Sequence, residues 1–185
     1  IESFQGKGYQ IKALHWEQSL LQFYSFGKNI AREIDNTKTK VLSYEKLSEF
    51  PLKKEFNKSI ILEENIFTES ELWKINRLRL VNNVPLILET SYIPMNYLPK
   101  FKTEELKQKS LYTLLENNHI TIVKAREDLK ATLANIEEQK LLKIDDNNPL
   151  FKTIRYTYDS KESIVEIRKS LIRADYFNFT VEISI

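Results

Sequence analysis

Cysteine is absent from the 185 residues, which excludes disulfides, thiolate nucleophiles and Cys-ligated metals. Glycine is almost as scarce: the chain has three, two of them Gly6 and Gly8 near the N-terminus. A phosphate loop there is poorly supported, because the P-loop spacing and its Lys-Ser/Thr ending are missing. The two histidines, His15 and His119, fall in an expected linker and an expected helix-to-strand turn, without metal-ligand spacing. No apolar run approaches the roughly 20 residues that a spanning helix needs, and the N-terminus has no signal-peptide pattern. Charge of one sign is also lacking. A formal net charge of +2 is too small to argue for nucleic acid by itself. What remains, 42% hydrophobic and 29% charged residues, is the composition of an ordinary globular protein and predicts one domain with a short appendage. A cytoplasmic location is expected and no cofactor is.

The stretch from Trp73 to Pro99 organises the rest. It reads as two strands joined by a turn at Asn82 and Asn83, with runs rich in Leu, Ile and Val on either side. Strand side chains alternate between faces, so Arg77 and Arg79 share one face with roughly 6 to 7 Å between their Cα atoms. That spacing lets both guanidinium forks grip one phosphate or carboxylate. From these residues alone, an Arg pair on a solvated strand face is an equally good reading. Register decides whether Glu89 joins them. A plain two-residue loop sets Arg77 opposite Leu88 and turns Glu89 to the other face. A three-residue loop or a bulge brings it back.

Before this hairpin, Gly6, Lys7 and Gly8 predict a tight turn, with Tyr9 and Ile11 opening an outgoing strand. The segment from Leu14 to Tyr24 reads as a linker that packs down as it enters the domain. Ser25 is the expected N-cap of a helix whose apolar positions are Phe26, Ile30 and Ile34. Its free N–H groups, with Gly27 in the first turn, would let an anion approach the backbone, although a capped surface helix is the commoner fate. A strand is expected from Lys38 to Leu47, a short helix or irregular crossing from Pro51 to Asn57, and nothing definite from Lys58 to Glu71.

After the hairpin, Lys102 to Gln108 reads as a short charged helix. Ser110 caps a second helix with Leu111, Leu114 and Leu115 on its buried face and Tyr112 off that stripe. The stretch from Ile120 to Ala134 reads as a long strand. A capping box at Asn135–Glu138 then opens a short helix closed by Leu141 and Leu142. Asp145 to Asn148 is a turn, and Pro149 with two Asn makes a solvated turn the better account of its paired aspartates than a metal site. Three more strands are expected, at Phe151–Asp159, Ser163–Arg173 and Asn178–Ile185. Successive strands with a few short helices indicate an antiparallel α+β domain.

Several linked motifs carry a resemblance: RLRLVNNVPLILETSYIP from Arg77, SLYTLLE from Ser110, EEQKLLKIDDNNPL from Glu137, YTYD from Tyr156 and RADYFNFTV from Arg173. In this order and at these spacings they resemble the UTRA domain, the effector-binding half of HutC-subfamily regulators in the GntR superfamily of bacterial transcription factors. The match runs from about Ser25 to Ile185. Residues 1–24 are expected to be the remnant of a winged-helix wing and an interdomain linker, because Gly6 to Ile11 is similar to the end of that wing. The DNA-reading domain is accordingly expected to lie outside this sequence.

The resemblance implies a chorismate-lyase-like fold, a central antiparallel sheet flanked by helices, whose pocket binds a small effector, often a sugar phosphate. Carried over by position, Arg77, Arg79, Ser110, Tyr112 and the helix start at Ser25, Phe26 and Gly27 would hold the phosphate. Glu89, Glu166 and Phe177 would line the remainder. The chain departs from the family pattern at Gly27-Lys28, where Thr-Glu is frequent, at Ala174, where Gly is frequent, and at Phe177, where Tyr is frequent. Losing the Tyr hydroxyl removes one polar contact to the sugar-like part. The implied partners are an anionic effector, operator DNA through the missing domain and a second copy of the chain, with no membrane partner. Two alternatives stay open: a regulator sensing a non-phosphorylated organic acid, and a lyase-like enzyme. Acid-base chemistry would draw on Glu89 or Glu166, but no nucleophile is paired with a base, and the expectation is a protein that is not an enzyme.

Overall fold

The computed structural model describes residues 2–4, 8–10, 16–19, 37–51, 56 and 71–180. Ten strands and three helices lie among them. The strands are β1 (Glu2–Phe4), β2 (Gly8–Gln10), β3 (Trp16–Ser19), β4 (Thr37–Leu47), β5 (Leu72–Val81), β6 (Val84–Pro94), β7 (Ile122–Leu133), β8 (Pro149–Asp159), β9 (Ile164–Arg173) and β10 (Phe177–Thr180). The helices are α1 (Thr103–Gln108), α2 (Leu111–Asn117) and α3 (Ile136–Leu142).

Six strands form one antiparallel sheet in the order β4-β5-β6-β9-β8-β7. The expected α+β class, a central antiparallel sheet flanked by helices in the chorismate-lyase-like manner, is the one observed. The β5–β6 hairpin turns where the sequence places it. Asn82 and Asn83 have φ of 49° and 64°, the positive values that a two-residue type I′ turn requires and that Asn tolerates. The register nevertheless shifts between Arg79 and Leu80: Leu80 pairs with Pro85, Arg79 with Ile87 and Arg77 with Glu89. Leu86 is the extra residue. Pro85 beside it has no N–H to lose, which suits an irregular ladder position.

The helices close as their caps dictate. Asn135 and Glu138 exchange two hydrogen bonds of 2.9 Å at the start of α3. The Ser110 hydroxyl accepts from the Thr113 N–H at 3.0 Å. On one face of the sheet, α3 seals Leu142 against Leu78, Leu80, Leu150 and Leu171. The same face carries an aromatic cluster in which Phe50, Phe56 and Tyr92 stack edge-on with centroids 4.9 to 5.8 Å apart. On the other face, α1 and α2 bury Leu106, Leu111, Leu114 and Leu115 against Ile75, Ile93 and Val165.

Two expectations change at the termini. Gly8 lies within β2, opposite Phe4, and not in the expected turn; Gly6 and Lys7 lie outside the described residues. Trp16–Ser19, expected as linker, runs as a strand in parallel register with β10, Trp16 opposite Phe177 and Ser19 opposite Thr180. The expected last strand begins one residue early, at Phe177, and its residues 181–185 lie outside the described ones, as does the helix expected from Ser25. The Asp145–Asn148 turn is exposed and held by its own hydrogen bonds, Asp145 N–H to Asn148 Oδ1 at 3.0 Å among them.

Candidate functional site

Alternation puts a polar band on the face that α2 covers. By register, Arg77, Glu89, Ser170 and Thr153 form one row across four strands, and Ser91, Arg168, Arg155 and Glu127 form the next. Glu166 and Thr157 pair in a third. The band lies between two apolar clusters. One is the α2 packing around Ile75 and Ile93; the other gathers Ile87, Ile172, Phe177 and their neighbours. All these polar residues except Glu127 are buried. Central strands that set several buried polar side chains side by side cannot hydrogen-bond every one of them within the sheet, since the backbone ladder is already complete. The surplus donors and acceptors project from a rigid surface.

The bulge settles the question of Glu89. Its carboxylate lies on the same face as the arginines, with Oε2 3.0 Å from both Arg79 Nε and Arg77 Nη2. Arg79 donates to it, and also to the Thr39 hydroxyl of β4. Arg77 contacts it at an angle that makes no hydrogen bond, and its Nε, Nη1 and Nη2 have no hydrogen-bond partner although the side chain is fully buried. Charge responds accordingly. Burial alone would raise the Glu89 pKa, but Arg79, Arg77 and Arg168 outweigh it and hold the carboxyl at about 2. For Arg77, burial and then the neighbouring Arg79 charge lower the pKa from its ordinary value to about 9, against the pull of Glu89 and Glu166. Arg77 therefore stays cationic at neutral pH in a site that disfavours the charge. A buried charged donor left unsatisfied costs at least ~1–3 kcal/mol, which an incoming oxyanion would recover.

Of the other expected site residues, Glu166 accepts from the Ser91 hydroxyl at 2.7 Å through Oε1, while its buried Oε2 has no hydrogen-bond partner. Tyr112 is buried and not merely beside the apolar stripe; its hydroxyl lies 3.2 Å from that of Thr157. Ser110 uses its oxygen on the Thr113 N–H and lies 2.9 Å from the Thr113 hydroxyl. Phe177 is at the opposite end of the band, against Val81, Leu86, Ile87 and Ile172. Ser25, Phe26 and Gly27 lie outside the described residues. The structure thus brings Arg77, Arg79 and Glu89 into contact, sets Glu166 two rows away with Tyr112 reaching its partner Thr157 from α2, and leaves Phe177 as an apolar end wall.

Sequence reasoning missed Ser91, Thr153, Arg155, Thr157, Arg168 and Ser170. The signal was there: T-x-R-x-T over 153–157 and E-x-R-x-S over 166–170 each place three polar side chains on one strand face. Such a pattern ordinarily reads as a solvated face. Arg155 is itself compensated, with Nη2 2.7 Å from Glu127 Oε2. Among the described residues, no group of three or more His, Asp or Glu is placed to hold a metal.

The chain matches the UTRA domain over residues 35–178. It is 24% identical over 180 residues to a probable fructoselysine utilization operon transcriptional repressor of Shigella flexneri, covering 97% of this chain and 71% of that one. It is 32% identical over 111 residues to the transcriptional repressor NagR of Bacillus subtilis, covering 60% of this chain and 45% of that one. The effector domain of PhnF from Mycobacterium smegmatis has the same fold, with a TM-score of 0.76 at 20% identity over 92% of this chain and the whole of that one. The motif from Arg77 supplies Arg77, Arg79 and Glu89 of the buried cluster and the motif from Ser110 supplies Tyr112, and the chain belongs to the UTRA domain family.

Proposed function

We propose that this chain is the effector-sensing domain of a transcriptional repressor and that its polar band binds a small phosphorylated metabolite, a sugar phosphate or amino-sugar phosphate. The observation that carries the reading is Arg77: a fully buried cation whose three nitrogens have no hydrogen-bond partner, 3.0 Å from a carboxylate shared with Arg79. A site prepared in this way favours a dianion over a neutral sugar. Hydroxyls in the band, with the open oxygen of Glu166, suit the polyol or amino part of such a ligand. Relatives named as repressors of fructoselysine utilization and of a mannosyl-D-glycerate transport and metabolism system support a sugar-derived effector.

The role is regulatory and not enzymatic. The effector controls operator binding by a DNA-reading domain, and the chain works in the cytoplasm as a homodimer, because two-fold operators require two-fold proteins. Light scattering should accordingly give twice the monomer mass; a monomer at high micromolar concentration would contradict this. Thermal unfolding with glucosamine 6-phosphate and fructose 6-phosphate, each beside its unphosphorylated parent, tests the ligand class. A phosphorylated compound at a hundred times its dissociation constant adds about 2.7 kcal/mol and raises Tm, while its parent does not. Equal shifts from both members of a pair would remove the phosphate from the proposal and favour a different anion.

A further inference from the structure

Arg168 on β9 is buried at 6% exposure, and it is set differently from Arg79 and Arg155. Arg79 is engaged by Glu89 and Thr39, and Arg155 by Glu127. The Arg168 side chain makes no ion pair or hydrogen bond with any described residue. Its Nε is buried without a partner, and its guanidinium lies 5.7 Å from the centre of the Tyr112 ring. By register it stands between Ser91 and Arg155, one row from Glu89 and Ser170. Strand spacing places its Cα about 12 Å from that of Arg77, two strands across and two residues along, so two arginine side chains of ordinary length can converge on one small anion between them. An aromatic face steers a guanidinium without occupying its N–H groups, which remain directed to a ligand.

We propose that Arg168 is an anion-binding residue of this pocket, gripping the effector's oxyanion from β9 opposite Arg77 on β5, with Tyr112 as the plate that orients it. This rests on the effector-binding reading above and changes its chemistry. The anion is held between two strands separated by β6, and Arg79, next to Arg77 in sequence, serves mainly to position Glu89. Tyr112 then contributes through its ring as well as its hydroxyl. Glu166, two residues before Arg168 and with an open Oε2, is placed to take a hydroxyl or ammonium of the same ligand.

The test titrates the 185-residue chain with inorganic phosphate, glucosamine 6-phosphate and 6-phosphogluconate by calorimetry, using R168Q, R168K, R77Q and the surface control R126Q. Loss of one charge-assisted contact weakens binding on the order of ten- to a hundredfold. R168Q and R77Q should each show that loss for all three probes, R168K should recover part of it, and R126Q should match the unaltered chain. A drop in R168Q confined to 6-phosphogluconate would identify the bound anion as the carboxylate and still support the assignment. A guanidinium Nε–Hε spectrum of the unaltered chain supplies a readout that does not depend on variant folding: the Arg168 signal moves on adding phosphate. Unchanged affinity in R168Q with loss in R77Q, or an unmoved Arg168 signal at saturating phosphate, overturns the inference and leaves the proposed function standing. Failure of the unaltered chain to bind any of the three overturns both.

Discussion

Glu89 is the residue on which the resting site depends, since it answers two buried guanidiniums with one carboxylate. Its folded pKa, about 2, lies below the 4.5 of the free side chain. A depressed carboxyl pKa contributes stability that is fully present above the unfolded value and is lost as pH falls through the folded one. The window is therefore from about pH 4.5 down to about pH 2, and the contribution is on the order of 3 kcal/mol. Glu89→Gln keeps the shape and removes the charge, so it should lower the urea midpoint clearly at pH 7. The difference between the two proteins should shrink as pH approaches 2. A difference independent of pH would mean that the contribution of Glu89 is packing and not charge. Arg79 belongs to the same cluster. A strand-face arginine in a wet pocket would contribute little to the fold, but Arg79 is 3% exposed and ties β4 to β6 through Thr39 and Glu89, so it is structural as well.

At the scale of the element, the β5–β6 hairpin shows how one residue decides a site. Without the bulge, Arg77 would face Leu88, and the carboxylate would project into the leucine layer under α3. Deleting Leu86 tests this directly. The shortened hairpin should lose both the apolar contact and the arginine-glutamate cluster, with a lower Tm and no further stabilisation by the phosphorylated sugars. A deletion variant with the original Tm and the original ligand response would show that the bulge is incidental. Asn82 and Asn83 announce the turn in sequence, because few residues accept positive φ at both central positions. The bulge three residues later has no such local signature. It follows from Pro85 and from packing Leu86 into the Val81, Ile87 and Phe177 cluster.

Across the whole molecule, the strand β3 is joined to the site by a short route. β3 pairs with β10, β10 begins at Phe177, and Phe177 packs on Ile87, which is the register partner of Arg79. An effector that orders the band should therefore slow amide exchange in residues 16–19 as well as around Arg77, and by linkage operator binding should alter effector affinity by the same factor, typically 5- to 150-fold. Protection that rises near Arg77 and Arg168 but is unchanged in residues 16–19 would show that the signal does not travel through the β3–β10 pair.

By itself the sequence determined the elements and their chemistry. Hydrophobic alternation placed β4 through β9 to within a few residues, the caps at Ser110 and Asn135 started α2 and α3, and two arginines at spacing two on a strand were set on one face. These are local properties, set by backbone sterics, side-chain period and nearest-neighbour hydrogen bonds. Beyond the β5–β6 hairpin, the tertiary structure decided which strands are neighbours. Alternation says which residues share a face of one strand but not which strand lies beside it, so nothing local sets Arg168 two strands from Arg77 or Glu127 against Arg155. Those juxtapositions arise when β6 pairs with β9 across some eighty residues of chain, a contact chosen by burial of both faces of the sheet, and they join the polar alternations of separate strands into one buried charged band.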